Sequence, residues 1–283
     1  MRIIVIVFLF SLNFASYSQN LVKNGDFEEY NKCPQSFDNP NKLPVNDWGV
    51  NNGFFKGSPD YYNACGNYYF SVPKNIFGYY PAQSGNGYIG LIMFSDYGSY
   101  EYIQGELKEP MKMRGRYKVS FWVQLLHTRS KYLSNNLGVC FSKQRVFDNC
   151  NFVYYDESGS PETRASISTY PNFISDTSWV EVKGEYIAKG GEKYIAFGFF
   201  WVDNPEVIKA IEKSKMIYSE DKKQRLLKKV YMKYLLRINP YRLSDEELYR
   251  ENDKYPLGKY DFAYYLFDNV SVELIDGDEK DKN

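Results

Sequence analysis

The sequence contains a single histidine, His127, in 283 residues, and that scarcity removes much of the usual catalytic and metal repertoire. Zinc sites built from several histidines are excluded by count. A Ser-His-Asp or Cys-His arrangement would have to use His127, and no Gly-x-Ser-x-Gly elbow accompanies it. Lying at a strand end before a polar loop, His127 reads as structural. A phosphate-binding loop with its lysine and a dinucleotide fingerprint are also missing. Charge bias is absent too: 35 basic residues balance 35 acidic ones, so no overall field draws the chain to nucleic acid or anionic lipid.

Long apolar runs are equally scarce. No segment approaches the roughly 20 apolar residues of a membrane-spanning helix. The run Ile3 to Phe10, behind Arg2 and ahead of the small residues Ser16-Tyr17-Ser18, reads as a secretory signal peptide over residues 1–18. No cysteine follows that segment at once, so lipid attachment there is not indicated. The expected locations are therefore secreted, periplasmic or outer-membrane associated. Cysteines number four, and in an oxidising compartment disulfides are the default reading. Of the three connectivities, Cys33–Cys65 with Cys140–Cys150 closes the shortest loops. The alternative for Cys140, in a strand-like run, is a buried thiol.

What the chain has in abundance is aromatic side chains: 28 Tyr, 20 Phe and 4 Trp. These divide between core and contact surface in a proportion that composition does not give. Apolar and polar residues alternate in short runs between Gly, Pro, Asn and Ser: Gly87 to Met93, Tyr100 to Leu107, Tyr117 to Leu126, Leu137 to Ser142, Trp179 to Ala188, Lys193 to Trp201 and Ala263 to Leu274. This is an all-β pattern of the sandwich or jelly-roll kind. Asn31 to Ser84 is loop-rich, with six prolines, and is expected to shape one rim.

One stretch breaks the pattern. Asn204-Pro205-Glu206 is a helix start, with Val207, Ile208 and Ile211 at helical spacing. A second helix is expected from Ser219, with Leu226, Leu227, Val230, Tyr231, Tyr234, Leu235 and Ile238 on one face. Lys222, Lys223, Arg225, Lys228, Lys229, Lys233 and Arg237 lie on the other. Ser244-Asp245-Glu246-Glu247 is a capping box that would start a third. The basic face reads either as a solvated outer face or as a platform for an acidic partner or membrane surface. The expected organisation is a jelly roll over 19–203 and 254–275, a helical insertion over 204–253 and a charged tail over 276–283.

Two strings bracket the sandwich. Asn24-Gly25-Asp26-Phe27-Glu28 is a turn running into a carboxylate, and Tyr265 to Leu274 is a terminal strand around Asp268. Lying side by side, they would bring Glu28 and Asp268 to one cation. With Gly85-Asn86-Gly87-Tyr88-Ile89-Gly90, Leu107-Lys108-Glu109-Pro110, Tyr117 to Val123 and Phe267 to Val272 they occur in the order of galactose-binding-like jelly rolls. The chain resembles carbohydrate-binding modules of families 4, 9 and 22. It is also similar to the exported domain that precedes OmpA-like domains in some Gram-negative outer-membrane proteins. Cys33-Pro34, Ser58 to Cys65 and Trp179 to Gly198 carry that second likeness. The OmpA-like part itself is absent, so peptidoglycan anchoring is not carried over.

The resemblance implies a structural Ca²⁺ at Glu28 and Asp268, with Asp26 a weaker ligand, together with backbone carbonyls. It also implies a sugar-binding face of stacked aromatics and amides. Strand parity sends Val119, Phe121 and Val123 inward, and Ser120, Trp122 and Gln124 outward. By the same count Ile103 and Leu107 point inward, and Tyr102, Gln104 and Glu106 outward. The expected ligand set is Trp122, Gln124, Tyr102 and Gln104, with Tyr61 and Tyr62 from the rim loop and Tyr79 and Tyr80 beside them; Trp48 and Trp179 read as core anchors. Three functions follow: a non-catalytic module for a glycan or cell-surface polysaccharide, an interaction module that uses the helical insertion on a cell-envelope protein, and, last, a glycosidase with paired carboxylates.

Overall fold

The computed structural model describes residues 19–36, 43–49, 59–95, 101–145, 165–200, 204–244 and 261–276. The segment 1–18 expected to be a signal peptide, Cys150, the capping box beyond Ser244 and most of the charged tail lie outside them. In chain order the strands are Trp48–Gly49 (β1), Asp60–Asn63 (β2), Lys74–Asn75 (β3), Gly78–Tyr79 (β4), Gly87–Ser95 (β5), Ile103–Glu106 (β6), Arg116–Leu125 (β7), Tyr132–Ser134 (β8), Leu137–Ser142 (β9), Ile167–Ser168 (β10), Val180–Ile187 (β11) and Tyr194–Phe199 (β12). After helices Pro205–Lys215 (α1) and Glu220–Tyr234 (α2) come Leu236–Ile238 (β13) and Phe262–Asp276 (β14).

The strands build a jelly-roll sandwich of two five-stranded sheets, ordered β1-β6-β12-β9-β10 and β11-β7-β14-β5-β2. Alternation along β7 places Val119, Phe121 and Val123 in the core between them, all fully buried, as the period of two requires. Phe121 packs edge-on against Phe197 of the facing sheet at 5.2 Å. Trp48 fills the same core, 5.7 Å from Phe197, and its indole N–H donates to the Asn24 carbonyl. The expected strands all form, with ends shifted by a few residues at most.

The helical insertion forms as well. Asn204 caps α1 by accepting from the Glu206 and Val207 amides, with Pro205 in the first turn. Leu227, Tyr231 and Leu235 turn into the core at intervals of four residues. After α2 the chain runs on as β13, which pairs with β8.

The proline-rich region departs from the rim expected of it. It supplies β2, an edge strand of the second sheet, and residues 64–86 fold over the outer face of that sheet. There Tyr62, Phe70, Val72, Ile76, Phe77, Tyr80, Tyr88, Leu126, Tyr264 and Leu266 make a second hydrophobic cluster. Cys33 and Cys65 are joined, as expected, and such a bond belongs to an oxidising compartment. Cys140 is buried in β9, with Sγ 3.7 Å from the Phe141 carbonyl; its pairing with Cys150 lies outside the described residues.

Candidate functional site

The same alternation that fills the core turns Ser120 and Trp122 of β7 to the outer face of the second sheet, where both are half-buried. Beside them β14 is irregular between Asp268 and Ser271, with Asn269 in the left-handed region at φ 47°. Beyond β5, the free edge of β14 is taken by the segment 20–25. Leu21 N–H donates to Val272 O, Val270 N–H to Gly25 O, and Asn20 Oδ1 accepts from the Val22 and Val272 amides. Gly25 is needed at this crossing: a Cβ there would lie 2.3 Å from Val270 O. The chain then turns through Asn24, at φ 45°, whose side chain bridges Glu29 N–H, Glu29 O and Asn46 O.

Between this segment and the strands lies a groove of about 450 Å³, with Ser120 and Trp122 on β7, Asn269 and Ser271 on β14, and Asn24, Asp26 and Glu29 on the N-terminal segment. Asn20, Val22, Gly25, Lys108 and Val270 complete the lining. Its amides are largely committed to the fold, since Asn20 and Asn24 bind backbone and Asn269 donates to Gln83 Oε1 and Ser84 Oγ. The Lys108 ammonium donates to Asn20 O. The Asp26 and Glu29 carboxylates, the Ser120 hydroxyl and the Trp122 indole N–H carry no hydrogen bond to another described residue. A ligand in the groove therefore meets one aromatic face among groups that are chiefly hydrogen-bond acceptors.

The bookend acids do converge, and what they meet is a turn. Glu28 Oε1 accepts from the Asn86 and Gly87 amides at 2.7 and 2.8 Å, and Asp268 Oδ2 from the Gln83 and Ser84 amides at 3.0 and 3.3 Å. Between the two amide pairs sits Gly85, at φ +63°, where a Cβ would lie 2.5 Å from Glu28 Oε1. Burial pushes the Asp268 carboxyl up to about 7, its hydrogen bonds to Asn269, Ser84 and Gln83 pull it back, and the Glu28 charge adds to the rise. Glu28 Oε2 and Asp268 Oδ1 have one donor each, Asn86 Nδ2 and Asn269 N–H, and keep lone pairs open. Carboxyl oxygens with free lone pairs are the donor type that a hard cation takes. Among the described residues no group of three or more His, Cys, Asp or Glu could hold one, so its other ligands would be carbonyls and water. Asp26 lies apart from this pair, exposed in the groove.

The remaining expected ligand residues are not on this face or are not open. Gln104 belongs to β6 in the first sheet and Tyr102 stands just before that strand, so they share no surface with Trp122 of the second. Both are buried, and Tyr102 donates its hydroxyl proton to Phe199 O. Gln124 has the expected parity but is covered, with Nε2 donating to Thr177 O at 2.6 Å. Tyr61 and Tyr62 alternate into the two different cores, where Tyr61 bonds Phe27 O and Tyr62 the Tyr264 hydroxyl. Tyr80 is buried, while Tyr79 is exposed. The sequence reading missed Asn24, Glu29, Asn269 and Ser271 as groove walls. Their signal was the pair of turn dipeptides, Asn24-Gly25 and Asp268-Asn269, at the ends of the bracketing strings.

No protein-family model matches this chain, and none of the curated proteins compared with it matches either. Among solved structures it is similar to the CBM22-1 xylan-binding domain of Paenibacillus barcinonensis Xyn10C, at TM-score 0.39 and 10% identity over 93% of this chain and 99% of that one. The K1 cleaved adhesin domain of Lys-gingipain from Porphyromonas gingivalis W83 gives 0.31 and 16% over 77% and 91%. A CBM4 structure gives 0.32 and 11% over 89% and 99%. The likeness to carbohydrate-binding modules expected from the motif order is thus found. The likeness to the domain preceding OmpA-like domains stays with the sequence motifs alone. At these scores no ligand or residue role passes from those proteins to this one.

Proposed function

We propose that this chain is an exported, non-catalytic carbohydrate-binding module that holds a glycan or cell-surface polysaccharide in the groove over Trp122. The groove itself carries this reading. A half-exposed indole offers a stacking surface for a sugar ring, and Asp26, Glu29 and Ser120 offer acceptors for its hydroxyls. Such a groove favours donor-rich, neutral sugars over uronic acids or sulfated chains. A glycosidase acid is held above its ordinary pKa by its surroundings. Among the described residues the two carboxyls so raised, Asp60 and Asp268, are buried, whereas the acids in the groove are exposed.

The test is polysaccharide retention or a glycan array with the purified protein, followed by calorimetry on the best ligand. Trp122→Ala is expected to weaken binding at least about tenfold, or ~1.4 kcal/mol, at an unchanged melting temperature. Retention of no polysaccharide by the native protein, or equal retention by the variant, refutes the reading. Calcium belongs to the same proposal. Glu28 and Asp268 would hold it and join the first segment to the last strand, away from the ligand. A chelator is then expected to lower the melting temperature of the native protein and leave that of a Glu28→Gln, Asp268→Asn variant untouched. No response in either means the carboxylates serve the turn alone.

A further inference from the structure

The helical insertion carries a charge that the neutral whole conceals. Residues 204–238 contain ten Lys or Arg against four Asp or Glu, so the rest of the chain has the compensating negative excess. The α1–α2 hairpin is fastened to the sandwich at one end. Val207 and Ala210 of α1, Leu227 and Tyr231 of α2 and its C-cap Leu235 are buried, and Tyr231 packs edge-on against Phe94 and Phe199. Toward the turn joining the helices, Ser214 is buried, while Lys213 and Lys222 are exposed. From Leu227 back to Ser219 a helix rises about 12 Å, so the turn lies that far along α2 from its last core residue. In that turn, Met216 at 74% and Tyr218 at 105% are the two most exposed large hydrophobic side chains among the described residues.

We propose that this turn is a peripheral membrane contact for an anionic phospholipid surface. The amphipathic ring of tyrosine and the pliable thioether of methionine sit at the depth of lipid headgroups. The lysines beside them and the exposed Arg225, Lys229 and Lys233 along α2 supply attraction to negative lipid. Glu212 and Asp221 are also exposed near the turn and reduce that attraction without reversing it. Apolar side chains at full exposure on a turn between two helices suit a yielding surface better than a shaped partner. The contact is peripheral, since no helix among the described residues is long and apolar enough to cross a membrane.

Sedimentation of residues 19–283 with large unilamellar vesicles tests the idea. One set is phosphatidylcholine alone and the other contains about a third phosphatidylglycerol. Binding to the anionic set is expected to be at least about tenfold tighter, and to collapse near 1 M salt, where the Debye length is about 3 Å. A Met216→Ser, Tyr218→Ser variant is expected to lose most of it. So is Lys213→Glu, Lys222→Glu, whereas Tyr79→Ser, at an exposed tyrosine of another loop, keeps it. Equal binding to both vesicle types, no binding, or an unchanged Met216/Tyr218 variant overturns the proposal. Capture by dextran sulfate with no vesicle binding overturns it too, in favour of a soluble polyanion.

Discussion

The outer face of the second sheet is one surface with two fates. Over β2, β5 and the first part of β14 it is roofed by residues 64–86, and its tyrosines become interior. Tyr62 stacks on Tyr88 at 5.1 Å, Tyr264 donates to Asp60 Oδ2 at 2.6 Å, and Asn75 donates to the Tyr88 hydroxyl. Over β7 and the second part of β14 the roof stops and the groove opens above Trp122. Trp179 marks the boundary, edge-on to Tyr88 and donating its indole proton to Pro81 O. An aromatic on the roofed half has its ring packed and its polar atom satisfied, as burial demands. An aromatic on the open half keeps a face for something else. Tyr62, Tyr80, Tyr88 and Tyr264 are thus explained by a second core, and the candidate ligand surface narrows to one indole.

The contrast breaks most visibly in stability. Tyr88→Ala is expected to cost about 3–5 kcal/mol in urea unfolding, the range for deleting a buried aromatic, against less than ~1 kcal/mol for Trp122→Ala. Equal costs would erase the distinction between the halves. The next largest effect concerns Asp60, which burial beneath the roof pushes up from 3.8 to about 7. The folded chain then holds this proton more tightly than the unfolded one. Its stabilising contribution is complete below about pH 3.8 and is lost as pH rises to about 7. Asp60→Asn keeps an acceptor for Tyr264 and is expected to gain on the native protein by on the order of 2–4 kcal/mol as pH rises through that window. Parallel pH profiles would show that the carboxyl is not enclosed. Asp268 shifts in the same sense, so the variant retains part of the slope.

Smaller changes sharpen the boundary. Gln124→Ala removes a covered amide and leaves Thr177 O without its donor, so a loss of about 1–2 kcal/mol in stability with unaltered glycan binding is expected. Ser120→Ala, two residues from Trp122 on the open side, should do the reverse. Stability stays within about 0.5 kcal/mol and calorimetry shows binding weakened by about 0.5–1.5 kcal/mol, the net worth of one hydrogen bond. Weakened binding in Gln124→Ala would extend the groove past its observed wall.

Strand parity was legible along β7, where Val119, Phe121, Val123 and Trp122 all face as the alternation requires. The capped start of α1 was equally plain, because Asn204-Pro205 acts through its own backbone. Convergence of Glu28 and Asp268 was readable from two strings at opposite ends of the chain. What they meet in the middle, the Gln83–Gly87 turn, was not. Parity also assigns each strand two faces without saying which sheet receives it, so Gln104 and Trp122 were grouped although β6 and β7 lie on opposite sides of the core. Nor does alternation tell an open face from a roofed one. Tyr62 and Trp122 both point outward from the second sheet, and only the distant segment 64–86 separates their roles.

The position of β14 bears on how the molecule comes to exist. It is the last strand described, yet it sits at the centre of its sheet, with β7 on one side and β5 on the other, and its far half also receives the segment 20–25. A nascent chain that has emerged only to residue 260 holds two separate pieces of that sheet, with the ring of Phe121 still waiting for Phe267. The second sheet therefore closes only once β14 is made, through contacts of high sequence separation that form slowly.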